Sequence, residues 1–217
     1  MENVTGIVDL KDRWRYTVIK QESNQTVEYT DVDYNTYVMG KNASLQSENF
    51  SIKNSNFCCL VNSSFKVECG GNSTAVIIKF PGLYCFENLL YVENNLQIGN
   101  LTYMDGGTNS NAITPSRLGD PVINYVHFPK GMYQTLHTHP SHRIGLILKG
   151  NGKIELDNNE MFDVREGEVF LMARNELHNF ICTDEDVVAF VFAPESGDGP
   201  TDEDNPLQAR TLLGRTR

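Results

Sequence analysis

Short apolar runs alternate with clusters of Asn, Gly, Ser and Asp along the whole chain. In the first half no stretch sustains a 3.6-residue apolar period beyond about three turns, so strands rather than helices are predicted. Runs rich in Val, Ile, Tyr and Phe place strands near 14–20, 26–30, 36–39, 57–61, 65–69, 74–80 and 83–86. Residues 89–101 suit either a strand or a short helix. In the second half the runs fall at 123–128, 133–139, 142–149, 153–156, 161–164, 169–173, 176–182 and 187–193. They are joined by tight turns such as Lys149-Gly150-Asn151-Gly152 and Arg165-Glu166-Gly167. Strands this short and evenly spaced, with no helical segment, predict an antiparallel barrel or jelly roll. Between the halves, 105–120 concentrates Gly, Asn, Ser and Pro and reads as a linker. After Pro194 the chain turns acidic and Gly/Pro-rich, which reads as a loop or an arm packed across a neighbour. The expected organisation is therefore an all-β chain with a β-rich domain over 1–104, a linker over 105–120, a barrel over 121–194 and a tail over 195–217.

Composition narrows the partners. The 217 residues are 40% hydrophobic and 21% charged, with a formal net charge of −10. Phosphate contact needs patches of Lys and Arg, so nucleic acid is not expected as a partner, nor is an anionic membrane surface. No run approaches the length of a signal-peptide core or a spanning helix. Five cysteines is an odd number, and Cys58 and Cys59 are adjacent, which is poor material for a disulfide framework. The sequons at Asn42, Asn62, Asn72 and Asn100 would matter only in a secreted chain. A reduced, cytoplasmic protein is expected.

The chemistry is concentrated in two stretches that hold four of the five histidines. The first is GMYQTLHTHPSHRIGLILKG, from Gly131 to Gly150, and the second is GEVFLMARNELHNFIC, from Gly167 to Cys182. Side chains alternate along a strand, so His137 and His139 share a face. His178, arriving on a later strand, can complete three sides of a metal's coordination sphere. Two weaker candidates are His127, aligned with Tyr125 and Ile123 toward the barrel mouth, and Tyr133 as a pocket hydroxyl. Cys182 lies on the face of His178 and is either a thiolate ligand or, more simply, a small core residue. Residues 1–126 contain no histidine.

These stretches resemble the paired motifs of the cupin superfamily, a family of small double-stranded β-helix barrels. The first motif matches at Gly131, His137, His139 and Gly150, and the second at Gly167 and His178. Ala173 stands where Pro is usual, Asn175 where Gly is usual and Cys182 where Asn is usual. The resemblance covers about 123–193 and implies a cupin-type jelly-roll barrel with one divalent transition metal on His137, His139 and His178. Phe80-Pro81-Gly82-Leu83 offers a turn for a second, decayed barrel in the N-terminal half, which would make the chain a bicupin.

Arg143 departs from this pattern, because the family places a Glu ligand there. A guanidinium within a few ångströms of a divalent ion is repelled. Either Arg143 sits back and holds a substrate carboxylate or phosphate with its fork of donors, or the register shifts by one and His142 turns inward as a fourth ligand. The plain alternative is a surface ion pair. With Arg143 facing inward, Ile144, Leu146 and Leu148 face outward and need a cover, from the N-terminal half or a second subunit.

Three imidazoles suit Fe(II), which is favoured, or Mn, Ni, Zn or Cu. The resemblance implies a dioxygenase-like enzyme acting on a small anionic substrate, in a chain expected to be a homodimer. The alternatives are a metal-dependent isomerase or lyase, and a small-molecule-binding or regulatory barrel without catalysis.

Overall fold

The structure is a computed structural model and describes residues 2–3, 7–10, 16–21, 24–30, 35–81, 83, 85–92, 98–117 and 119–194. The tail over 195–217 and part of the strand expected at 14–20 lie outside the described residues. Among these residues the chain is all-β and antiparallel, with one 3-10 turn at Met104–Gly106 and no α-helix. No helix is long and apolar enough to cross a membrane.

The second half is a barrel of two facing sheets. The larger runs in the order Glu2–Asn3, Val169–Met172, Arg143–Lys149, Val187–Ala193, Val122–Phe128, Thr108–Ile113, Leu101–Thr102. The smaller runs Met132–Tyr133, His178–Cys182, Gly152–Leu156, Met161–Val164. Inward positions of both sheets form one apolar cluster, including Val126, Phe128, Ile147, Phe170, Phe180 and Ala189. The tight turns form at the expected glycines. Gly150 and Gly167 have φ of 82° and 83°, where a side chain is strained. At Gly150 a Cβ would also lie 2.0 Å from the Asp186 carbonyl oxygen.

The first half is an eight-stranded sheet whose central strands are Thr74–Phe80, Asn35–Ser47 and Ser51–Val61. Val38, Leu45, Phe57, Val67 and Ile77 fill one face. The other face, with Tyr37, Met39, Leu60, Val76 and Ile78, packs on Ile144, Leu146, Leu148, Leu171, Phe190 and Phe192 of the barrel's larger sheet. The outward apolar stripe of Arg143–Lys149 is thus covered from within the chain. Polar contacts lock the same seam: buried Lys41 pairs with Glu166 at 3.0 Å, and the Thr74 hydroxyl donates to the Gly167 carbonyl at 2.9 Å.

Three expectations are corrected. Residues 83–86 do not form a strand in their described part; the strand lies at Asn88–Val92. Residues 105–120 are not merely a linker, because Thr108–Ile113 pairs along Val122–Phe128. Alternation carries no apolar signal in that strand, because Asn109 and Asn111 are the residues it puts toward the barrel interior. The expected strand at 133–139 breaks after Tyr133, for a reason that shapes the site.

Candidate metal centre and its cavity

Met132 pairs with Cys182 and Tyr133 with Ile181, and the Gln134 N–H reaches the Phe180 carbonyl at 2.9 Å. Pairing resumes at His137 opposite His178. From Met132 to His137 is five steps, whereas from Cys182 to His178 is four, so one extra residue is inserted. This bulge reverses the side-chain parity. Met132 and Gln134 face the barrel interior before it, and His137 and His139 face the interior after it. The Asp105 carboxylate pins the bulge by accepting the Thr135 N–H at 2.6 Å and the Thr135 hydroxyl at 3.1 Å.

The histidine orientations are set by the backbone. The Thr135 carbonyl accepts the His137 Nδ1–H at 2.9 Å, and the Glu176 carbonyl accepts the His178 Nδ1–H at 2.7 Å. A carbonyl cannot donate, so both rings carry their proton on Nδ1 and keep a lone pair on Nε2. The ring centroids stand 4.9 Å apart for His137–His139, 4.6 Å for His137–His178 and 5.1 Å for His139–His178. One nitrogen from each ring lies within 4.8 Å of the others. Burial, then the Arg143 charge, pushes His139 down to about 3. Burial likewise pushes His178 down to about 4. These two imidazoles are neutral near pH 7, the form that binds metal. The His178 Nε2 is buried and has no partner within the protein. Converging imidazoles with one orphaned lone pair fit a divalent transition metal.

The triad opens into a cavity of about 270 Å³, near the lower end of the roughly 300–1,000 Å³ usual for small-molecule sites. Phe128, Phe170, Met172 and Phe180 form its apolar wall, and Tyr103, Asn109, Asn124, Gln134 and Arg143 supply polar groups. Arg143 is 7% exposed. It donates through Nη1 to the Ser141 hydroxyl and, at 3.1 Å, to the His142 carbonyl. Its register opposite Met172 keeps it on the inner face, and it lines the cavity beside the three histidines.

The family model for the cupin domain matches residues 124–194. Residues 124–194 have the cupin fold. No curated protein matches the chain by sequence. Among solved structures, the chain is similar to a cupin 2 conserved barrel domain protein from Leptotrichia buccalis. The identity is 16% and the TM-score 0.60, over 90% of this chain and 92% of that one. A protein of unknown function from Pseudomonas syringae pv. tomato shares 10% identity with a TM-score of 0.61, over 83% of each chain. Salicylate 1,2-dioxygenase from Pseudoaminobacter salicylatoxidans, in complex with gentisate, shares 9% identity with a TM-score of 0.56. That likeness spans 82% of this chain and 68% of the dioxygenase. At such identities the likeness concerns the fold alone.

The cupin barrel accommodates its unusual motif residues. Asn175 has a φ of 57°, which Asn tolerates better than most side chains, and its N–H donates to the His139 carbonyl at 2.8 Å. Cys182 is fully buried in the barrel core, and burial pushes its thiol up to about 12. It lies outside the histidine cluster.

The remaining predicted residues do not line the cavity. His142 is outside both the histidine cluster and the cavity wall. His127 pairs with Asp186 at 3.1 Å, on the face of Val122–Phe128 opposite Val126 and Phe128. Tyr133 is 60% exposed and donates to Glu155 on the barrel's outside. In their place the cavity takes Tyr103, Asn109, Asn111, Asn124 and Gln134. Only the Asn109-x-Asn111 spacing, parallel to His137-x-His139, offered a signal in the sequence.

Proposed function

We propose that the chain binds one divalent transition metal through His137, His139 and His178, with Fe(II) favoured over Mn, Ni, Zn or Cu. On this reading it is a dioxygenase-like enzyme acting on a small anionic substrate. The observation that carries the proposal is the placement of Arg143, buried in the wall of the same cavity as the three histidines. A buried guanidinium in a polar cavity matches a carboxylate through paired, charge-assisted hydrogen bonds. The Ser141 and His142 contacts hold Arg143 in place, so it meets the substrate without first being ordered. The aromatic wall excludes water and gives an apolar body a surface to pack on. A metal held there by neutral histidines alone would supply an undiminished positive charge and open positions as a Lewis acid.

The gentisate complex of the salicylate dioxygenase is a precedent, on this fold, for a small aromatic acid as ligand. We further propose that the N-terminal half is a decayed, non-catalytic copy of the barrel and that the chain forms a homodimer in the cytoplasm. The test is metal analysis of purified protein, followed by oxygen uptake against a panel of small acids after Fe(II) loading. About one metal per chain, lost in a His137→Ala/His139→Ala variant, with uptake on at least one acid, supports the reading. Equal metal content in wild type and variant overturns the metal centre, and metal without any uptake overturns the dioxygenase assignment.

A further inference from the structure

The histidines and Arg143 do not account for all the polar surface inside the cavity. Gln134 is 1% exposed, and its Oε1 accepts the Phe180 N–H at 3.2 Å. That bond fixes which end of the amide is which and leaves Nε2 as a buried donor with no acceptor in the protein. Tyr103 is near enough to interact with the Gln134 side chain, while no acceptor in the protein meets hydrogen-bond geometry at Nε2. Asn109 shows the complementary deficit: its Nδ2 donates to the Asn124 Oδ1 at 3.2 Å, and its own Oδ1 is buried without a donor. Both side chains line the cavity that holds the triad and Arg143.

A donor and an acceptor buried without protein partners cost about 1–3 kcal/mol each unless whatever enters the cavity completes them. Solvent can complete them in the resting protein, so a ligand that displaces the solvent must offer both functions in return. A methyl or ring C–H offers neither, a carboxylate or ketone only accepts, and an ammonium only donates. A hydroxyl offers both functions. We infer that Gln134 Nε2 and Asn109 Oδ1 act as a donor–acceptor pair that selects hydroxylated small acids over their unhydroxylated counterparts. This rests on the anion-binding reading of Arg143 and adds to it the part of the ligand away from the acid group. Selection of this kind is steep, because the wrong ligand leaves the site's own polar groups unpaired.

The test uses the full chain loaded with Zn(II), which is redox-silent, and calorimetric titration with two matched pairs: 2-hydroxybenzoate against benzoate, and lactate against propanoate. The readout is the ratio of affinities within a pair, from which any general loss of anion binding cancels. Wild type should prefer the hydroxylated member of at least one pair by about tenfold. The preference should fall below about threefold in Gln134→Met and in Asn109→Ala, with Zn(II) content unchanged. Asn109→Ala removes the acceptor without touching the Phe180 N–H, so it should lose the preference even if Gln134→Met folds poorly. The inference is overturned if the acids bind without preference in wild type, or if the preference survives these substitutions. If Zn(II) binds but no acid does, the anion reading of Arg143 fails and takes the inference with it. If no Zn(II) binds, the metal reading fails, and the pairs titrated into metal-free protein still decide the inference by the same ratio.

Discussion

Arg143 sets the charge of the cavity. Its guanidinium is close enough to lower the proton affinity of His139 and His178, and its neighbours Ser141 and His142 hold it in place. Replacing it by Gln removes the charge and keeps some hydrogen bonding. Arg143→Gln should weaken binding of small carboxylates by about 10–100-fold, the scale of a charge-assisted hydrogen bond in a dry site. Metal content, read by elemental analysis, should stay at the wild-type level. Loss of metal would instead make Arg143 a scaffold for the triad. The inward orientation of Arg143 agrees with the motif spacing, but the stretch from Gly131 to Gly150, expected to need no bulge, contains one before His137 and a second irregularity between Ile147 and Lys149. Gln134 was not legible. Counting back by alternation from His137 brings Tyr133 inward, and only the extra residue between Gln134 and His137 reverses that count. A bulge carries no residue signature here, so simple alternation points to Tyr133 rather than Gln134. His127 lies away from the cavity wall for a related reason. It shares a face with Tyr125 and Ile123, but that face meets the N-terminal half rather than the barrel interior.

At the scale of elements, the bulge and the strands around the cavity are held by contacts distant in sequence. Asp105, just before the strand Thr108–Ile113, reaches Thr135, and the Thr135 carbonyl orients His137. Partners that orient a metal ligand are typically worth about 10–100-fold in metal affinity. Asp105→Ala should therefore weaken metal binding by about that factor, measured by competition with a chelating dye. The circular dichroism spectrum should remain that of wild type, because the carboxylate is exposed and outside the core. Unchanged affinity would show that the bulge orients His137 without its pin. Gly145 poses a different constraint. A Cβ there would lie 1.9–2.6 Å from three atoms of the Phe170 ring. Phe170 itself packs edge-on to Phe180 at 5.5 Å, and Phe180 stacks on Phe128 at 4.6 Å. Displacing the ring disturbs the whole apolar wall of the cavity. Gly145→Ala should lower stability by about 1–3 kcal/mol in urea titration, the usual cost of overpacking. It should also weaken binding of aromatic acids more than of aliphatic acids of similar charge. The strands of the barrel were legible because short apolar runs recur at even spacing between tight turns. The strand Thr108–Ile113 was not, since its inward residues are themselves polar.

At the scale of the molecule, the barrel's larger sheet has two apolar faces, and the outer one is covered by the first half. Its outward residues Ile144, Leu146, Leu171, Phe190 and Phe192 belong to one cluster with Tyr37, Met39, Val76 and Ile78 of the first half. Phe192 sits at the centre of that seam, fully buried, with its ring edge-on to Tyr37 at 5.2 Å and to Phe80 at 6.3 Å. Such a shared core couples the halves: unfolding the first exposes the outer face of the second. The protein should therefore unfold in a single transition, with calorimetric and van't Hoff enthalpies in agreement. Phe192→Ala should lower stability by about 3–5 kcal/mol, the range for truncating a buried aromatic. Because the lost contacts bridge the seam, the variant tests the coupling directly. If the halves are one cooperative unit, the variant melts earlier but still in one step, and the metal is released within that step. If it shows two transitions, with metal retained through the first, the cupin domain stands without its cover. The apolar cluster across the seam would then add stability without making the fold one unit.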